Sequence, residues 1–81
     1  MTDIRVLVAD DHALVREGIR HVLDAEPGIT VVAEARNGRE AVELAMVYRP
    51  DVIVLDISMP EESGLAAAAR LRELLPAARC A

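Results

Sequence analysis

The sequence predicts an α/β domain, a parallel β-sheet carrying helices on both faces. Three observations predict it. Short, almost wholly apolar runs alternate with longer amphipathic stretches three times along the 81 residues. The first and third of these runs close abruptly on aspartate, and no linker, repeat or low-complexity tract separates the units. Apolar runs without in–out alternation are how strands buried on both faces read, and strands spaced by helix-length segments join through right-handed crossovers.

The first strand is Ile4 with Val6 to Ala9, ended by Asp10 and Asp11. From His12 to Ala25 the period changes. Leu14, Val15, Ile19, Val22 and Leu23 fall on one helical face, and Arg16, Glu17, Arg20 and Asp24 take the other. Pro27 and Gly28 stop that helix. Thr30 to Ala35 reads as a second strand around Val31 and Val32. Asn37 then caps a second helix, with Glu40 three residues on in a capping-box-like spacing and Ala41, Val42, Leu44, Ala45 and Val47 as the apolar face. That helix ends near Pro50, and Val52 to Leu55 form the third strand, closed by Asp56. A loop, Ile57 to Ser63, holds Pro60. A third helix is expected from Gly64 through the Ala66 to Ala69 stretch to Leu75, with Pro76 as its stop.

Composition excludes several classes of function. The hydrophobic share of 53% is too high for a disordered acidic tail, although a chain of this length buries a thin core. All 9 basic residues are arginine, against 14 acidic ones, for a formal charge of −5. Without lysine there is no Schiff base and no phosphate-loop lysine. With Tyr48 as the single aromatic there is no base-stacking platform, and the acidic balance opposes direct binding to nucleic acid or anionic membrane. Cys80, the single cysteine, excludes an internal disulfide and reads as a small apolar residue in or near a strand. Asp3 and Arg5 interrupt the early apolar run, so a signal peptide is not expected; no stretch is long enough to span a bilayer, and the expected location is the cytoplasm.

In parallel α/β sheets, ligands collect beyond the carboxyl ends of the strands, where Asp10, Asp11 and Asp56 all fall. If the first and third strands are neighbours, three carboxylates share one crevice. At ~5 Å and an effective dielectric of ~20, each pair repels by about 3 kcal/mol, a large fraction of the stability of a small domain. A divalent cation offsets this, and an oxygen-only donor set favours Mg2+ over Zn2+. Helix capping accounts for one aspartate of the Asp10-Asp11 pair but leaves Asp56, on another strand, unexplained. Asp56 reads either as a further metal ligand or as a nucleophile toward a phosphoryl donor, which would yield an aspartyl phosphate. His12 reads as a polar residue in the first turn of a helix and His21 as a surface side chain.

These residues carry a resemblance. Asp10-Asp11 after the first strand, Asp56 after the third, and Asp56-Ile57-Ser58-Met59-Pro60 followed by Gly64 resemble the receiver domain of bacterial two-component response regulators. Asp10-Asp11-His12, Val15-Arg16-Glu17-Gly18 and Glu34-Ala35-Arg36-Asn37-Gly38 are most similar to the NarL/FixJ group, whose members usually carry a LuxR-type helix-turn-helix output domain. The resemblance implies a flavodoxin-like (CheY-like) sheet of order 2-1-3. It implies that Asp56 accepts phosphate from a sensor histidine kinase, that Asp11 binds Mg2+ directly, and that Asp10 does so directly or through water. It further implies the backbone carbonyl of Ser58 as a ligand, with Met59 and Pro60 shaping the loop. Glu61, Glu62 and Ser63 depart from the residues many relatives have there.

Against that family the chain reads as the N-terminal part of a receiver, residues 1–81, with three strand–helix units. Arg79-Cys80-Ala81 stand where a fourth strand begins, and no output domain is present. The family's switch hydroxyl and lysine have no counterpart, since Thr2, Thr30, Ser58 and Ser63 lie elsewhere. The third strand is then expected to be an exposed edge, open to a homodimer or another edge-strand partner. The leading reading is a phosphoacceptor signalling domain, not an enzyme, regulating transcription in its parent protein and touching DNA only through the output domain. The alternative is a degenerate module used for dimerisation or interaction alone. A Mg2+-dependent phosphatase with Asp56 as nucleophile ranks last, because no cationic phosphate clamp accompanies the acids.

Overall fold

The computed structural model describes residues 3–56, 69–70, 72 and 79–80. In chain order the elements are β1 (Ile4–Ala9), α1 (Ala13–Asp24), β2 (Ile29–Ala35), α2 (Gly38–Tyr48), β3 (Val52–Leu55) and β4 (Arg79–Cys80). All strand pairings are parallel and the sheet order is β2-β1-β3-β4. The expected 2-1-3 order is therefore present, with one correction. β3 is not a wholly open edge, because Val52 pairs with Arg79 and Ile53 with Cys80, while among the described residues Val54 and Leu55 have no partner on that side. The chain's own last residues start the fourth strand on the side assigned to a partner. The expected third helix from Gly64 to Leu75, its stop at Pro76 and the loop Ile57 to Ser63 lie outside the described residues, except that Ala69, Arg70 and Arg72 are helical. Among the described residues no helix is long and apolar enough to cross a membrane.

Alternation along the strands divides the core into two faces. Leu7, Ala9, Ala35, Ile53 and Leu55 point one way and pack with Ala41, Val42 and Ala45 of α2 in one buried cluster. The small side chains at Ala9, Ala35, Ala41 and Ala45 let the α2 backbone lie close to the sheet. Val6 and Val8 are buried on the opposite face, beneath α1. The register slips between Val6 and Leu7, so that Val32 has no opposite number on β1.

The helix ends follow local chemistry. The Asn37 side chain accepts the Glu40 backbone N–H at 2.8 Å, as the spacing predicts. Glu40 does not return the bond to the cap residue; its carboxylate accepts from the N–H of Arg36 at 3.1 Å, one residue earlier. Arg49 takes the left-handed conformation (φ 47°) to close α2, donating its N–H to the carbonyl of Ala45 at 2.8 Å. Gly28 (φ 83°) turns the chain into β2, and its carbonyl accepts from the N–H of Ile4 at 2.7 Å.

α1 meets its predicted span but not its predicted burial. None of its residues is buried; Ile19 and Leu23 are half-covered, while Leu14, Val15 and Val22 are 82%, 48% and 64% exposed. Its apolar stripe is wider than the strip of sheet it touches, and only the side carrying Ile19 and Leu23, next to half-buried Arg16, is shielded.

The difference between the two faces sets a testable ranking. Ile53→Ala, which opens a void in the α2-side cluster, should destabilise the chain by about 2–5 kcal/mol. Asn37→Ala should cost about 1 kcal/mol through the lost cap. Urea unfolding followed by circular dichroism measures both; equal losses for the two would show that the cluster is not the core.

Candidate functional site

The parallel ladders run one residue past the strands, and this places the acids. Beyond the last β1–β2 pair, the N–H of Asp10 donates to the carbonyl of Ala35 at 3.0 Å. Beyond the last β1–β3 pair, Ala9 with Leu55, the N–H of Asp56 donates to the carbonyl of Ala9 at 3.0 Å. Asp10 and Asp56 thus leave adjacent strands side by side at their carboxyl ends. Ligand atoms of Asp10, Asp11, His12 and Asp56 all lie within 4.8 Å of one another.

Each member sits in a different setting. Asp10 is 7% exposed, and its Oδ1 accepts the backbone N–H of His12 at 2.8 Å, just ahead of α1. Asp10 therefore belongs to the cluster and to the turn that leads into the helix, one oxygen serving the turn; the N-cap position is His12, without a side-chain cap. Arg16 donates from Nη1 to the Asp10 backbone carbonyl at 2.7 Å. His12 Nδ1 lies 3.3 Å from Asp10 Oδ1 and 2.9 Å from Asp11 Oδ1. The ring is aligned for a hydrogen bond to Asp10. Its nearer approach to Asp11 is one of distance only, so Asp11 Oδ1 is buried without a hydrogen-bond partner. Asp56 is half-buried.

This arrangement suits a hard cation. An orphaned buried carboxylate oxygen costs free energy in water-free surroundings, and a metal ion is a partner that accepts several such oxygens at once. At the observed spacing and an effective dielectric of ~20, ionised neighbours repel by about 3 kcal/mol per pair, which the same ion offsets.

The three aspartates expected to converge do converge. Ser58, whose carbonyl was expected beside them, lies outside the described residues, as do Met59 and Pro60. His12 was read only as a first-turn residue. It is instead the N-cap of α1 (φ −94°, ψ 107°), with its ring against the acids. The signal was its place two residues after Asp10 in a tight strand-to-helix turn. His21 is exposed on α1, and Cys80 lies in β4.

Comparison with known proteins adds the family. The response regulator receiver domain family matches residues 6–80. A protein-glutamate methylesterase/protein-glutamine glutaminase from Carboxydothermus hydrogenoformans is 57% identical over 83% of this chain and 19% of its own length. The transcriptional regulatory protein DegU of Brevibacillus brevis is 44% identical over 90% of this chain and 31% of its own. The chain thus spans 19% to 31% of the length of these relatives. A solved CheX–CheY–BeF3–Mg2+ complex from Borrelia burgdorferi superposes with a TM-score of 0.91 at 26% identity, covering 98% of this chain and 60% of that one.

Crowded like charges make a sign prediction. Without divalent cations, Asp11→Asn should raise the stability of the chain by about 1 kcal/mol, a part of the pairwise repulsion left after solvent screening. Urea unfolding in EDTA measures it, and a loss of stability would show that the acids are not repelling one another.

Proposed function

We propose, for a chain that belongs to the family of response regulator receiver domains, that Asp56 accepts a phosphoryl group from the phosphohistidine of a sensor kinase. The observation that carries this reading is the convergence of Asp56 with Asp10 and Asp11 at the ends of β3 and β1. Asp56 attacks phosphorus through a carboxylate oxygen; the P–N bond to the kinase imidazole breaks, its electron pair stays on the nitrogen, and an acyl phosphate remains on Asp56. Asp10 and Asp11 hold Mg2+ with Asp56, and the Ser58 carbonyl is proposed as a further ligand. Bound Mg2+ supplies charge neutralisation between the anionic donor and the anionic nucleophile. The Mg2+ and BeF3 named for the Borrelia complex support the same metal.

His12 contributes a ring that leans over Asp10 and Asp11 from the helix N-cap, and its backbone N–H keeps one Asp10 oxygen turned toward the protein. That division leaves the second Asp10 oxygen for the cation. The output belongs to the parent protein. The likeness to DegU, with the Val15-Arg16-Glu17-Gly18 and Glu34-Ala35-Arg36-Asn37-Gly38 stretches, supports a transcription regulator that reaches DNA through a separate helix-turn-helix domain.

Intact-mass spectrometry after incubation with acetyl phosphate and Mg2+ tests the chemistry. One phosphoryl group is expected on the chain, none on Asp56→Asn, none with EDTA in place of Mg2+, and at least about tenfold slower labelling of Asp10→Asn. Labelling of Asp56→Asn at the original rate would overturn the assignment.

A further inference from the structure

Two stretches that mark the family resemblance, Val15-Arg16-Glu17-Gly18 and Glu34-Ala35-Arg36-Asn37-Gly38, have no task in the phosphoryl chemistry, yet the fold brings one residue of each together. We infer that Arg16 is a positioning residue for the acidic site, held by Glu34 of β2 so that its guanidinium fixes the backbone carbonyl of Asp10. The inference rests on the reading of Asp10 as part of a cation site.

The geometry is a chain of contacts across three elements. Arg16 Nη1 donates to the Asp10 carbonyl at 2.7 Å, while Arg16 Nε lies 3.4 Å from Glu34 Oε1. The Arg16 side chain is 15% exposed and that of Glu34 28%, so this pair is sheltered where most arginine–glutamate pairs are solvated. The second Glu34 oxygen accepts from Arg20 Nη1 at 3.0 Å, and Arg20 in turn approaches Asp24 at 3.5 Å. Arg20 is 53% exposed, and its hydrogen bond and ion pairs go to Glu34 and Asp24. Glu34 is thus clamped by two arginines, of which only Arg16 reaches on to the acidic site.

What the carbonyl contact controls follows from peptide planarity. The Asp10 C=O and the Asp11 N–H belong to one rigid plane, so holding that oxygen sets the starting direction of both aspartates. Two further polar groups of Asp10 are held as well, its N–H by Ala35 and its Oδ1 by the His12 N–H. With backbone fixed on both sides, the carboxylate cannot swing away to relieve its repulsion from Asp11 and Asp56. The guanidinium supplies this because its rigid plane donates from Nη1 to the Asp10 carbonyl while Nε stays within ion-pair distance of Glu34; a lysine ammonium is a compact charge without that fixed fork. Partners that orient metal ligands typically cost 10–100-fold in metal affinity when removed.

The test compares Arg16→Gln, Arg16→Lys and Arg20→Gln in the full chain. Two readouts are used: Mg2+ affinity by calorimetric titration, and hydrogen exchange of the His12 amide by NMR without metal. Arg16→Gln should weaken Mg2+ binding about tenfold and speed His12 exchange about tenfold. Arg20→Gln, which loosens Glu34 without touching Asp10, should stay within about twofold on both. Arg16→Lys keeps the charge and guards against a folding failure of the glutamine variant; it should still lose about threefold in Mg2+ affinity. Unchanged Mg2+ affinity in Arg16→Gln and Arg16→Lys, or an equal loss in Arg20→Gln, overturns the inference. Should the unaltered chain take up no Mg2+, the cation reading falls by itself, and His12 exchange alone decides whether Arg16 fixes Asp10.

Discussion

The spacing of a parallel β-ladder is the constraint on which the site depends. Adjacent strands lie ~4.8 Å apart in the hydrogen-bonding direction. Asp10 and Asp56 are the first residues past the last paired positions of β1 and β3, and both are still tied to the ladder by their own N–H groups. The backbones of Asp10 and Asp56 therefore stay side by side as long as the bond from Asp56 to Ala9 holds, and the bond from Asp10 to Ala35 fixes Asp10 to β2 as well. Repulsion is built in by the backbone, and the side chains add Asp11 to it. A fold that holds charge in this way suits a cation of fixed size, since the ladder bonds that set the spacing are made by backbone groups and not by the carboxylates.

The remainder of the molecule is organised to hold that end of the sheet. On one face α2 lies close over Leu7, Ile53 and Leu55 because alanines at 9, 35, 41 and 45 remove the bulk between them. On the other face α1 has little buried apolar surface to anchor it, and polar contacts take a larger share. Asp24 accepts from the N–H of Val31, Arg20 and Arg16 meet Glu34, and Arg16 meets the Asp10 carbonyl. The most sheltered of these contacts is the one nearest the acids. The helix that follows the acidic turn is thus fastened to the sheet most firmly where it begins.

The sequence made the strands and helices legible because their patterns are local. Val6 to Ala9 and Val52 to Leu55 are apolar throughout, and Asn37 with Glu40 marks a helix start unambiguously. The observed bounds differ by single residues, at His12, Ala25 and Ile29. The order of the strands was not legible from periodicity and came from the family resemblance. Helical spacing showed that α1 has an apolar stripe, but not that Leu14 and Val22 stay exposed, since periodicity reports a face and not what covers it. The role of β3 as an edge was misjudged because Arg79-Cys80 is too short for any alternation to show that it pairs. His12 stands one residue before the first helical turn, as the N-cap, because its placement depends on the turn made by Asp10. The brace from Arg16 to Glu34 spans 18 positions and two elements, and no spacing rule reaches across such a distance.

Relatives of this chain include a methylesterase/glutaminase and a transcriptional regulator, each several times longer than the shared segment. A segment common to such different outputs has to carry something independent of them. On the proposed chemistry, that common element is a change of charge at the carboxyl ends of β1 and β3, where Asp56 gains phosphate beside Asp10 and Asp11. A change of charge is felt first by groups held rigidly nearby, and one such group here is Arg16, a cation fixed to the Asp10 backbone and tied to β2 through Glu34. The acidic site is therefore mechanically continuous with α1 and β2 within the residues described. On the proposed reading, a change at that site would reach α1 and β2 through these fixed contacts, whatever chemistry lies beyond them.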